Sequence, residues 1–156
     1  MDGQNLVPFN SINCLGVEVS NDLNWKPHIV NVAKAASKKL FVLRKSRKFL
    51  SPEDSLFLYK TQIRLMMEYC SFIWDRAAHS HIGLLDNIEK RALKLINCQS
   101  LTEHMESLSS CRKVVSLYVF YRMHFGLCSS ELAMLVPPTK RQGRVTRQSE
   151  KSHPFA

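Results

Sequence analysis

The chain has 156 residues, 45% of them hydrophobic, and a net charge of +9. That length suits one domain with a real core, the apolar content is too high for a disordered chain, and no apolar run is long enough to cross a bilayer. Five cysteines, at 14, 70, 98, 111 and 128, include no C-x-x-C pair, which argues against a disulfide scaffold or zinc ribbon and for reduced, mostly buried thiols.

The charge is unevenly placed. Residues 1–25 carry three acids and no Lys or Arg, residues 26–52 carry eight basic residues and no acid, and residues 53–136 carry nine of each sign. The last twenty residues add five basic residues against Glu150 alone. Two cationic patches flanking a neutral middle suggest contact with a polyanion. The opening MDGQNLVPFNS lacks a basic stretch followed by an apolar core, so no secretion signal is expected and the compartment reads as nucleus or cytoplasm.

Residues 1–11 read as a flexible leader. From Ile12 to Val19, Leu15, Val17 and Val19 alternate onto one face as a half-buried strand requires, and Ser20-Asn21-Asp22 reads as a turn. Asn24 can cap the next helix, with Pro27 tolerable in its first turn. Along 26–49, Ile29, Val32, Ala33, Ala36, Leu40 and Leu43 recur at helical spacing, while Lys34, Lys38, Lys45 and Lys48 lie opposite with Phe41 among them.

Ser51-Pro52-Glu53-Asp54 is a helix start, with an N-cap serine, a proline at the first position and acids facing the dipole. That helix is expected to run to about Trp74 and to be central and largely buried, with Leu56, Tyr59, Ile63, Met66, Met67, Cys70 and Ile73 inward; Tyr69 and Trp74 also read as core. An amphipathic helix follows over 81–97. Leu84, Leu85, Ile88, Ala92, Leu95 and Ile96 point inward there, and Asp86, Glu89, Lys90 and Lys94 point outward, Asp86 and Lys90 forming an i, i+4 pair. A short helical turn falls within 100–110, a further helix over 111–125 ends at Gly126, and Ser129 or Ser130 opens a brief helix stopped by Pro137-Pro138. The tail from 137 has too few apolar residues to fold alone. The expected fold is mainly α: a bundle of four to five helices after one short β-strand or hairpin, with a disordered basic tail. The strand itself lacks visible partners.

Nothing in this pattern makes a catalyst. Glu53 and Asp54, the adjacent acids, read as capping residues and not as ligands of a metal. His79 and His81, near Asp75, have H-x-H spacing without a defined third ligand. Cys70 and Cys128 sit at apolar helix positions, where inert thiols are usual. No catalytic residue, metal, cofactor, membrane contact or small-molecule substrate is expected. The one-signed helix over 26–49 points instead to phosphates. Lys34, Lys38, Arg44, Lys45, Arg47 and Lys48 are the candidate contacts, assisted by Lys140, Arg141, Arg144 and Arg147, and the lysine-rich make-up favours non-specific binding.

Four blocks, LGVEVSNDLNWKPHI, YKTQIRLMMEYCSFIWD, LLDNIEKRALKLI and SLSSCRKVVSLYVFYRMHFGLCSSEL, occur in this order. With them the chain resembles the C-terminal, post-palm part of reverse transcriptases of non-LTR retrotransposons, the jockey-like group in particular, from about Ile12 to its end. The resemblance implies that Leu15, Gly16 and Val17 belong to a strand that follows the polymerase palm and grips the primer. On it, 12–23 is a palm-derived strand and turn, and 24–136 a thumb-like helical domain that holds RNA template and DNA product. The expected partners are RNA or DNA backbone and the palm and fingers of a reverse transcriptase. Leu65 stands where the family usually has proline, and Cys111 where it has a basic residue. The paired catalytic aspartates of the palm have no counterpart here, so the resemblance implies a fragment, without polymerase activity of its own, of an RNA-directed DNA polymerase. Two alternatives stay open: a helical protein–protein module derived from a retroelement, and a decayed reading frame without function.

Overall fold

In the computed structural model, which describes residues 10–134, Ser11–Cys14 (β1) pairs antiparallel with Val17–Ser20 (β2) in the register Ser11↔Ser20 and Cys14↔Val17. Of the two forms expected over 12–19, strand or hairpin, the hairpin is present, and the partner that a single strand lacked is its own neighbour in sequence. Leu15 and Gly16 form the two-residue turn with φ of 50° and 83°, the pair of positive values that a type I′ hairpin turn needs. An apolar residue in such a turn prolongs the alternating pattern and conceals the reversal. Leu15 does not share a face with Val17 as expected: it is 85% exposed, whereas Val17 is 3% exposed.

After the Ser20–Asp22 turn, in which the Ser20 hydroxyl donates to Asp22 Oδ1 at 2.6 Å, α1 runs over Lys26–Ser46 and tightens into a 3₁₀ turn, Arg47–Phe49. The hydroxyl holds the Asp22 carboxyl below its usual pKa. Trp25, and not Asn24 as expected, holds the N-cap position and makes no side-chain cap bond. Asn24, one residue earlier, still serves an unpaired donor, its Oδ1 accepting the Lys26 N–H at 3.0 Å. Ser51 is the expected N-cap of α2 (Pro52–Leu58), and Asp54 completes a reciprocal capping box.

The single helix expected from 51 to 74 is broken. A π-helical turn, Tyr59–Arg64, follows α2; α3 covers only Leu65–Glu68, and α4 only Ser71–Trp74. Between them Cys70 is left-handed at φ 51°. The wider π turn and the break each rephase the apolar face. Leu56, Tyr59, Ile63, Met67 and Trp74 are buried as expected, but Cys70 and Met66 are half-buried, and Ile73 and Tyr69 are exposed, as are Phe57, Leu65 and Phe72.

Helix α5 spans His79–Ile96 and packs along α1 as its main partner. Its inner face matches expectation at Leu85, Ile88, Ala92 and Ile96; Leu84 is exposed instead, Leu95 is half-buried, and Ile82 joins the core. Glu89, expected outside, is buried. A short α6 (Gln99–Thr102) and then α7 (Leu108–His124) follow. Gly126, at φ 65°, ends α7 with bonds from Gly126 N to Met123 O and Leu127 N to Arg122 O, the Schellman pattern. Ser129 precedes α8 (Ser130–Ala133).

The described residues divide into two compact units, 10–116 and 117–134, at a boundary inside α7. The core of the first unit is formed by the buried faces of α1, α2, the π turn and α5, closed by Trp74 and Leu108. None of the five cysteines is disulfide-bonded or fully buried, and Cys14 is exposed, so the expectation of mostly buried thiols is corrected. The expected leader, apart from its last two residues, and the expected tail fall outside the described residues.

Candidate nucleic-acid interface

Helix α1 sorts its residues by chemistry. Ile29, Ala33, Ala36, Leu40 and Leu43 are buried along one stripe, and Lys34, Lys38, Arg44, Lys45, Arg47 and Lys48 are all exposed. At about 1.5 Å per residue the cations extend over roughly 20 Å. None of them takes part in an ion pair among the described residues. Lys39 is used internally, its Nζ donating to Gln62 O on the π turn at 3.0 Å. Lys45 Nζ lies 5.5 Å from the centre of the exposed Phe41 ring, a cation–π contact.

The six cations do not form one set. Lys34, Lys38 and Lys45 flank Phe41 on the outer side, as 100° per residue requires. Arg44 and Arg47 instead border a cleft of about 470 Å³ between α1 and α5, where they meet Arg91 and Lys94. Sequence reasoning missed Arg91 and did not connect Lys94 to this patch. The available signal was the cationic C-terminal half of α5, Lys90-Arg91 and Lys94, after acids at Asp86 and Glu89.

Those acids are used elsewhere, which leaves the cations of α5 uncompensated. Glu89 accepts the Leu108 N–H with both carboxylate oxygens, at 3.1 and 3.2 Å, and lies 3.6 Å from Arg64 Nη1. Burial pushes its carboxyl above the usual range, opposed by the Leu108 N–H and Arg64. Arg64 also donates to Glu68 Oε1 at 2.7 Å and to Glu106 O at 2.6 Å. Asp86 pairs with Arg112 Nη2 at 2.8 Å, not with Lys90 as expected, and Asp75 takes Arg112 Nε at 3.1 Å. Arg112 is 2% exposed, so this network ties the start of α7 to α5 and to the end of α4.

The segment Leu15–Val17 lies at the opposite end of α1. Tyr69 donates its hydroxyl to Leu15 O at 2.9 Å, and Glu18 donates its backbone N–H to His28 Nδ1 at 3.2 Å. His28 is buried near Trp74, their ring centres 6.2 Å apart, and desolvation lowers its pKa despite the opposing charge of Glu18. Between His28 and Arg44 α1 rises about 24 Å. The structure does not bring the hairpin turn together with the cationic cleft.

Asp54 acts in the capping box as expected. Among the described residues no three His, Cys, Asp or Glu side chains converge as metal ligands, and no helix is long and apolar enough to cross a membrane. Lys140, Arg141, Arg144 and Arg147 lie outside the described residues. Neither a family model, nor a curated protein, nor a solved structure matches this chain.

Proposed function

We propose that the chain is the post-palm, thumb-like part of a non-LTR retrotransposon reverse transcriptase of the jockey-like group, without a polymerase centre of its own, and that it binds RNA or DNA through the phosphate backbone. One observation carries the binding: residues 26–52 include eight cations and no acid, and the exposed ones on α1 have no ion-pair partner among the described residues. Lys and Arg in such an array gain most by displacing counterions from phosphates, a contact that is independent of base sequence. The four ordered sequence blocks support the family assignment. The setting is nuclear or cytoplasmic, and the palm and fingers of a reverse transcriptase are the protein partners.

The test is a titration against single strands and RNA–DNA hybrid at two salt concentrations. Each neutralised phosphate contributes about 0.7–0.9 to the slope of log affinity against log salt, so Lys34→Glu/Lys38→Glu/Lys45→Glu flattens the slope by about 2 or more. Salt-independent binding, or binding unaffected by the triple reversal, refutes the mechanism. Primer extension by the purified chain alone refutes the absence of a catalytic centre.

A second reading, pairing with another copy of this chain, is favoured by a different observation. In the second unit Leu117, Tyr118, Tyr121, Phe125 and Leu127 are all more than half exposed. Exposed apolar residues in this density mark association surfaces. Concentration-dependent self-association on a sizing column without nucleic acid supports it.

A further inference from the structure

The α1/α5 cleft has a geometry that a flat cationic face lacks. Its polar rim is formed by Arg44, Arg47, Arg91 and Lys94, while Leu40, Phe41 and Leu95 contribute apolar wall. Among the described residues no acidic side chain lines it, and the four cations form no ion pairs there. Phe41 is 57% exposed; Lys45 Nζ lies over one side of its ring, which leaves the rest of the ring available to a ligand. A volume of about 470 Å³ lies in the range of small-ligand pockets. That volume is on the scale of a single nucleotide unit.

We infer that this cleft is a single-strand site: it takes one unpaired nucleotide of RNA or DNA, with the phosphate on Arg44, Arg47, Arg91 and Lys94 and the base against Phe41 and the aliphatic wall. The inference rests on backbone binding by α1 and adds a discrimination to it. The outer cations Lys34, Lys38 and Lys45 are open to any polyanion, duplex or single-stranded. The cleft cations are accessible to a phosphate carried on a flexible strand, whose unstacked base can contact an aromatic ring, the usual means of sequence-tolerant single-strand binding. Three of the four cleft cations are arginines, whose planar donor forks engage phosphate oxygens two at a time. A loose strand end or a template ahead of pairing fits these requirements.

The experiment measures fluorescence anisotropy of a labelled short oligo(dT), of an RNA–DNA hybrid of the same length, and of an acidic peptide. The proteins are the wild type, Arg91→Glu/Lys94→Glu, Phe41→Ala and the outer-face triple reversal. All substituted positions are exposed, and circular dichroism monitors the fold. The α5 double reversal is expected to weaken oligo(dT) binding about tenfold or more while changing hybrid binding less than about threefold. Phe41→Ala is expected to weaken oligo(dT) alone, by about fivefold or more. Equal losses for both nucleic acids, or no loss for either, overturn the single-strand site. Displacement of oligo(dT) by the acidic peptide at comparable concentration overturns it also. Loss of the outer-face effect with the cleft effect intact overturns only the role assigned to Lys34, Lys38 and Lys45. Failure of the wild type to bind any nucleic acid overturns both.

Discussion

Replacing Arg112 by alanine removes a side chain that is 2% exposed and holds Asp86 at 2.8 Å and Asp75 at 3.1 Å. Truncating one partner of a buried ion pair costs about 3–5 kcal/mol, because the other charge is left without compensation. Here the two carboxylates are 22% and 32% exposed, so water reaches them and the lower end applies, about 3 kcal/mol. Arg112 Nη1 is buried without a hydrogen-bond partner, a cost the wild type already bears. Its removal also limits the loss. For a chain of this length about 3 kcal/mol lowers Tm by about 6–12 °C, and with m near 2 kcal/mol/M it shifts the urea midpoint by about 1.5 M. Equilibrium urea unfolding of wild type and Arg112→Ala, at low and high salt, measures this directly. A buried pair is poorly screened, so the difference persists in high salt. Arg112→Met combined with Asp75→Asn and Asp86→Asn removes the charges together and recovers most of the loss. A cost below about 1 kcal/mol, or one abolished by salt, places Arg112 at the surface and refutes the reasoning.

Leu15→Asn puts a residue that tolerates the left-handed region at φ 50° in the hairpin turn, and with Leu15 85% exposed no burial is lost; stability rises by about 0.5–1 kcal/mol in urea unfolding. Ser51→Ala breaks the capping box of α2 and costs about 1 kcal/mol by the same assay. His28 has a lowered pKa in the folded chain, so the unfolded chain binds its proton more readily. The stability tied to its bond from Glu18 N–H is complete above about pH 6.5 and declines as pH falls below it toward the folded value. The raised Glu89 carboxyl works in the opposite sense, its protonation favouring the fold as pH falls, so the comparison with His28→Gln at each pH isolates the histidine. A urea midpoint in which wild type and His28→Gln show the same acid dependence contradicts the assignment.

Much of the architecture is written locally. The apolar stripe of α1, the Ser51 cap with its proline and Asp54, and the glycine stop of α7 depend on residues within about one helical turn of each other, and each is found where the spacing puts it. The exposure of Lys34, Lys38 and Lys45 follows from the same periodicity, because a stripe that must be buried sends the opposite face to water. Other features depended on residues far apart in the chain. The alternation over 12–19 leaves strand and hairpin equally open, because Leu15 stands in a conformation that glycine or asparagine usually supplies. The break at Cys70 is accompanied by the Tyr69 hydroxyl reaching Leu15 O, 54 residues away, and by the burial of Trp74. Glu89 and Arg112 resemble surface residues by type, yet both are buried, because Leu108 N–H, Arg64, Asp75 and Asp86 supply the partners that make burying them tolerable. The cleft arises in the same way: Arg44 and Arg47 meet Arg91 and Lys94 only because α1 packs along α5. Periodicity assigns a side chain to a face of its own helix, but which other helix that face meets is decided by packing of the whole core.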